Sequence, residues 1–308
     1  MKKSILALAV VLGASTVFAQ DLTSRKGENY LPEAGDWAIG IDGAPILNYI
    51  GNFFGKQNDN TFANGIWGYS NPNMLITGKY FKEDNFAFRG GLRIGFNSDK
   101  DINLVDNRTA NPANWPALSA LVENSEKRSN SAVGLNFGVE WRKGTTRLQG
   151  YYGAEIGFMI QGQKRTYEYG NALANSVATI PVDVTGDDNF NNNVINMTDG
   201  DGNAILGRIL EEKDGMRFSL GLRAFIGAEY FIIPKLSLGG EFGWGVGFAT
   251  QGAGSRTVET VGYAAGATDS QLATITSETG KSSSFGLDVS TINPLFGPVG
   301  RLNLTFHF

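Results

Sequence analysis

Short segments in which apolar and polar residues alternate recur along the chain. The clearest one is residues 301–308. Its apolar positions are Leu302, Leu304, Phe306 and Phe308, and its polar positions are Arg301, Asn303, Thr305 and His307. A period of two places these two sets on opposite faces of an extended strand. The pattern therefore predicts a β-strand with one apolar and one polar face that runs to an aromatic last residue.

Seven further segments repeat this alternation. They cover residues 37–42, 74–81, 86–96, 133–142, 148–161, 217–230 and 236–248. The connections alternate between tight turns and long polar stretches, which are residues 43–73, 98–130, 162–214 and 249–298. Eight strands leave both ends of the chain on the side of the tight turns. A ten-stranded arrangement stays open, because residues 283–289 also alternate and a partner strand for them is available in residues 44–54.

The composition of the polar faces indicates where the apolar faces point. Glycine, arginine and glutamate dominate these faces, whereas a water-facing sheet disfavours glycine, which weakens a strand. Small residues beside a few large charged ones suit the narrow interior of a closed barrel. Aromatic residues also cluster near the tight turns, as in a membrane-interface girdle; they are Trp37, Tyr80, Phe86, Trp141, Tyr230, Phe231 and Phe308. The fold class is thus predicted to be all-β, a transmembrane antiparallel up-and-down β-barrel with long extracellular loops.

The first residues indicate export. Met1, Lys2 and Lys3 precede an apolar run that ends with Ala19, the arrangement of a secretory signal peptide. We expect residues 1–19 to be the signal peptide, 20–35 a short periplasmic segment and 36–308 the barrel. The expected location is the cell outer membrane, as an integral protein after cleavage near Ala19. The absence of cysteine excludes a disulfide framework, and a net charge of −4 gives no case for nucleic-acid binding.

Two stretches carry a family resemblance. Gly35-Asp36-Trp37-Ala38-Ile39-Gly40-Ile41-Asp42 opens the barrel, and Leu302-Asn303-Leu304-Thr305-Phe306-His307-Phe308 closes it. The chain resembles small outer-membrane β-barrel proteins of Gram-negative bacteria, in the outer-membrane-protein-A-like versions common in Bacteroidetes. The resemblance implies that Phe308 is part of a signal read by the barrel-assembly machinery. It also implies outer-membrane lipid and lipopolysaccharide as surroundings.

Charged residues on the inward faces are the first candidates for a functional site. They are Lys79, Arg89, Arg93, Glu140, Arg142, Glu155, Arg217, Arg223, Glu229, Glu241 and Arg301. Buried charges must be paired, and eight strands enclose a space that side chains can fill. We therefore expect a filled, salt-bridged lumen in a protein with a structural or surface-interaction role. The surplus of positive charge leaves a small anion-preferring channel or transporter as the alternative.

The sequence offers few candidates for catalysis or metal binding. His307 is the single histidine, its alternation places it near the tight-turn end, and there is no cysteine, so we expect no enzyme and no cofactor. Asp199, Asp201 and Asn203 resemble the start of a calcium loop, but Ala204 and Leu210 break that pattern. The long loops are expected to meet a surface protein or matrix partner. The apolar first loop, which includes residues 46–54, is unusual for exposed sequence.

Overall fold

The computed structural model describes residues 22–42, 76–107, 121–173, 188–287 and 299–308. All of the helices and strands assigned in these residues are β-strands. The strands are β1 (Trp37–Asp42), β2 (Ile76–Glu83), β3 (Phe86–Asp106), β4 (Leu121–Lys143), β5 (Leu148–Glu168), β6 (Val194–Thr198), β7 (Ala204–Lys213), β8 (Arg217–Ile233), β9 (Leu236–Gln251), β10 (Ser255–Tyr263), β11 (Ser270–Glu278), β12 (Ser282–Leu287) and β13 (Val299–His307). The prediction of an all-β fold is confirmed. Within the described ranges, no helix has the length and apolar character needed to cross a membrane.

Eight of these strands form a closed antiparallel ring. The order around it is β1–β2–β3–β4–β5–β8–β9–β13, and β13 pairs again with β1. The backbone N–H of Trp37 donates to the carbonyl of Phe308 at 2.9 Å, and the N–H of Phe308 donates to the carbonyl of Trp37 at 2.9 Å. All eight strands predicted from alternation lie in this ring, and the predicted closure between the first and the last is confirmed.

The apolar faces of the ring point outward and the polar faces point inward. Leu222 on β8 and Phe242 on β9 are 57% and 51% exposed, whereas Arg223 and Glu241 beside them are buried. From Phe86 to Phe96, β3 rises about 33 Å along the strand, which at the usual tilt gives about 25 Å of height. The ring therefore carries an outward apolar band about as tall as that of a membrane barrel.

The aromatic residues predicted to form a girdle near the tight turns face outward, with one exception. Trp37 and Tyr80 pack with ring centroids 4.8 Å apart. Phe231 was predicted to join them, and that is wrong: it is fully buried inside the ring. The register between β8 and β9 shifts between Phe231 and Ile233, and such a bulge re-aims a side chain.

Three of the four stretches predicted to be long polar loops, residues 98–130, 162–214 and 249–298, are mostly strands where the structure describes them, so the loop prediction is wrong there. The fourth, residues 43–73, lies outside the described residues. β3, β4 and β5 continue well past the apolar band, and β6, β7, β10 and β11 lie above it. We call this part the extension; it comprises residues 97–106, 121–130 and 163–168 with those four strands. Its exposed residues are mostly polar but include apolar ones such as Ile102, Leu104 and Leu272, so the regular alternation of the ring strands breaks down although the backbone stays extended. It has its own small core, in which Tyr167, Ile209 and Val258 are buried together.

At three positions in the sheet, two strands follow one another end to end and together form one long column. β7 and β8 both pair with β5, β10 and β9 continue one another beside them, and β11 continues into β12. The interruptions, residues 214–216, 252–254 and 279–281, lie side by side, and the N–H of Gly252 donates to the carbonyl of Met216 at 3.1 Å. A Cβ at Gly215 would lie 1.9 Å from the carbonyl oxygen of Gly252, so only glycine allows this approach.

The same registers decide between eight and ten strands for the described part of the chain. β12 pairs with β9 above the place where β13 pairs with β9, on the same edge. It therefore extends the column of β13 and adds no ninth position to the ring. Its expected partner in residues 44–54 lies outside the described residues. So do residues 1–19, which were predicted to be a signal peptide, and the rest of the apolar first loop.

Candidate functional site: the charged interior of the ring

Inward positions of seven ring strands place charged side chains at two levels. The strands are β2, β3, β4, β5, β8, β9 and β13, and their inward positions repeat every two residues. The charges are buried, and the ion pairs join cations and carboxylates from different strands. The interior is therefore a connected network.

Glu155 on β5 is the centre of the middle level. Its carboxylate lies 3.0 Å from Arg223, 3.3 Å from Arg301 and 3.5 Å from Arg89. The amide of Asn136 also donates to it at 2.9 Å. One buried carboxylate thus serves three guanidinium groups, which come from three different strands.

Glu241 on β9 completes this level. It lies 2.6 Å from Arg223 and 2.7 Å from Arg89. The guanidinium of Arg89 also stacks over the ring of Phe225, with 4.1 Å between its carbon and the ring centroid. An arginine can fork between two carboxylates and stack at the same time, which a lysine cannot do.

The lower level is built around Glu140 and Glu229. Lys79 lies 3.1 Å from Glu140 and 3.6 Å from Glu229, and Arg142 forms ion pairs with both. The imidazole of His307 lies 3.4 Å from Glu229. Arg89 is 3.5 Å from Glu140, so it connects the two levels.

Aromatic rings close the interior below the network. The rings of Phe81 and Phe231 lie against His307, with centroid distances of 5.6 Å and 5.1 Å, and all three side chains are fully buried. The guanidinium of Arg142 lies over both phenylalanine rings. This aromatic layer separates the charged interior from the tight-turn end.

The segment before β1 lies across the tight-turn end. The N–H of Ala34 donates to Asp84 at 2.8 Å, and Asp36 forms an ion pair with Lys235 at 3.0 Å. Tyr30 packs under Arg147, whose guanidinium carbon is 3.5 Å from the ring centroid. The segment therefore covers the mouth of the ring on the side of the tight turns.

The structure brings nine of the eleven sequence-selected charges into these ion pairs. The nine are Lys79, Arg89, Glu140, Arg142, Glu155, Arg223, Glu229, Glu241 and Arg301. Arg93 is buried one step further along β3, and Arg217 is half-buried at the upper end of β8.

Sequence reasoning missed a second set of buried charges, in the extension. Arg208 on β7 forms an ion pair with Glu259 on β10 at 2.8 Å and donates to the carbonyl of Asn171 at 2.7 Å. Glu126 on β4 accepts hydrogen bonds from Arg128 and from the hydroxyl of Tyr167. These residues lie in stretches predicted to be loops. Without a predicted strand, alternation could not assign them to an inward face.

The calcium candidates belong to a tight turn between β6 and β7. The Asp199 carboxylate accepts the backbone N–H of Asp201 (3.1 Å) and of Asn203 (2.8 Å), the side-chain amide of Asn203 (3.1 Å) and the N–H of Tyr263 (3.3 Å). Asp201 accepts the N–H of Gly266 at 2.8 Å. The described residues contain no group of three or more His, Cys, Asp or Glu side chains placed to hold a metal ion.

Protonation of Asp199 is expected to loosen this turn. Desolvation acts to raise the pKa of its carboxyl, but hydrogen bonds from Asn203, Tyr263 and Asp201 outweigh it, so the pKa lies below its ordinary value. The stabilisation is then present above the unfolded pKa of about 3.9 and lost as the pH falls through the lower folded pKa. At pH 7, Asp199→Asn should speed amide exchange across the β6–β7 hairpin several-fold. Mass-spectrometric hydrogen exchange checks this.

Asp201→Asn is the control, because Asp201 accepts a single described hydrogen bond. Equal protection of the hairpin in wild type and Asp199→Asn would show that the carboxylate does not hold the turn.

In comparisons with known proteins, no family model, no curated protein and no solved structure matches this chain.

Proposed function

We propose that the ring is an eight-stranded, up-and-down transmembrane β-barrel in the outer membrane of a Gram-negative bacterium, with a closed lumen and a structural or surface-interaction role. One observation carries the proposal: the exposed face of the ring is apolar all round, while its buried face holds paired charges. Only a lipid surrounding gives such a ring an environment that suits both faces.

The proposal includes the processing and assembly of the chain. Residues 1–19 are the export signal, 20–35 lie in the periplasm and 36–308 form the barrel. Phe308, whose side chain is exposed beside Phe306, is the residue that the barrel-assembly machinery reads. The surface-interaction role rests on the extension, because a folded lobe with its own core offers a fixed surface to a protein or matrix partner.

A gel-mobility and flotation experiment tests the membrane assignment. The full chain, refolded in detergent, should migrate differently before and after boiling, and it should float with phosphatidylcholine vesicles. A closed barrel resists detergent, and its apolar band partitions into the bilayer. Unchanged mobility, together with protein left in the soluble fraction, would remove the membrane assignment.

Conductance separates the two functions of such a barrel. The ion pairs and the aromatic layer fill the interior, so purified protein should show no steady current in planar bilayers. The alternative, a small anion-preferring channel, is favoured by the excess of arginine and lysine over glutamate in the lumen. In that case Arg93→Gln or Arg223→Gln would shift the ion preference of the current.

A further inference from the structure

Four lysines stand in a row on the outward face, just above the apolar band. They are Lys100 on β3, Lys127 on β4, Lys164 on β5 and Lys213 on β7, all of them exposed. Lys100 pairs directly with Lys127 across two strands, and Lys164 pairs directly with Lys213. Like charges directly opposite one another in a sheet are destabilising. The sheet thus holds two unfavourable pairs side by side.

The carboxylates on the same face neutralise this row only in part. Glu211 lies 2.8 Å from Lys164, and Glu168 lies 3.8 Å from Lys100. Within the part of the chain that the structure describes, Lys127 and Lys213 form no ion pair. A third carboxylate, Asp214, lies beside Lys213. Four cations therefore face three carboxylates, and the row keeps a net positive charge of about one.

A shallow groove of about 550 Å³ runs along this level. Phe96 and Met216, both more than half exposed, form its lower margin. The small hydroxyl side chains of Ser98 and Ser129 line its floor, and Lys164 and Lys213 stand beside it. The groove therefore offers hydroxyl donors and two ammonium groups beside one carboxylate, Asp214, directly above exposed aromatic and aliphatic surface.

We propose that this groove binds the phosphorylated headgroup of a membrane lipid whose acyl chains lie along the apolar band. The proposal rests on the proposed membrane function, because only then does the groove lie at headgroup depth. Lysine binds phosphate as a point charge, and a phosphate between Lys164 and Lys213 relieves their repulsion. The exposed residues below the groove, Ile94, Val133 and Ile160, supply the surface on which acyl chains pack.

The test compares a double variant with a matched control. Lys164→Gln with Lys213→Gln removes the two ammonium groups at the groove, whereas Lys82→Gln with Lys143→Gln removes two exposed lysines at the tight-turn end. Each protein is inserted into phosphatidylcholine bilayers that contain a small fraction of bisphosphorylated lipid A, and retained lipids are counted by native mass spectrometry. Loss of two charge-assisted contacts should lower lipid A retention about tenfold. The control should retain as much lipid A as wild type.

Salt and free phosphate identify the source of the anion. Raising the ionic strength should weaken retention in wild type and leave the double variant unchanged, because exposed charges are screened. Inorganic phosphate, added alone at the concentration of lipid A, should not displace the lipid, because it has no acyl chains. Displacement by phosphate would show a plain phosphate site and overturn the lipid assignment.

Flotation of the same samples keeps the two proposals apart. Equal lipid A retention in wild type, double variant and control, with all three floating, would overturn the groove alone. A wild-type chain that does not float would overturn the membrane function, and the groove with it.

Discussion

Glu155→Gln should destabilise the protein by about 3–5 kcal/mol, because breaking a buried ion pair leaves its partners as uncompensated charges. Three arginines, Arg89, Arg223 and Arg301, lie within 3.5 Å of this one carboxylate. Glutamine keeps the shape and can still accept the hydrogen bond from Asn136, so the loss reports the charge. The free energy of unfolding in urea, followed by the heat-dependent gel shift, measures it.

Glu168→Gln on the same strand is the control. Glu168 is exposed and lies 3.8 Å from Lys100, so its replacement should cost less than about 1 kcal/mol. Similar small losses for both variants would mean that water solvates the interior charges. The closed-lumen proposal would then fail, and a small anion-preferring channel would become the favoured function.

Leu222→Arg should cost about 2–4 kcal/mol in a bilayer, because an arginine on the lipid face near the midplane must leave water. Leu222 is 57% exposed and lies near the middle of the apolar band on β8. In a water-soluble protein, the same exposed substitution would change stability by no more than about 0.5 kcal/mol. Unfolding of the variant in phosphatidylcholine vesicles distinguishes these two values.

Leu272→Arg on β11 provides the comparison. Leu272 is 40% exposed but lies in the extension, beyond the apolar band, so its replacement should be nearly neutral. A large loss at Leu222 together with none at Leu272 maps the band. Equal, small losses at both positions would contradict the membrane assignment.

Alternation predicted the ring because each ring strand separates two environments. Leu302, Leu304 and Phe306 face outward, and the residues between them face inward. The extension escaped prediction because fully polar runs interrupt the alternation of its strands. In β3, the stretch from Ser98 to Asp101 is polar at every position although it stays extended. A second signal was present in β10, where Thr257, Val258, Thr260 and Val261 favour a strand.

The sequence predicted which charged residues lie inside the ring, but not which of them form ion pairs. Alternation along each strand identifies the inward residues, among them Arg89 and Glu241. Which carboxylate meets which arginine depends on the stagger between strands around the ring, and no local pattern encodes that. The lysine row has the same limitation, because Lys164 and Lys213 become neighbours only through the pairing of β5 with β7.

The pairing of β1 with β13 can form only late in the folding of this protein. The two strands are the first and the last of the ring, so every other ring strand is made before they can meet. The added entropy of closing so long a loop is modest, since each doubling of length costs only about 0.6 kcal/mol, but pairings so distant in sequence form slowly. A chain that stops before β13 leaves β1 and β9 as open edges able to pair with other chains. Shortened chains are therefore expected to aggregate more readily than chains that complete the ring.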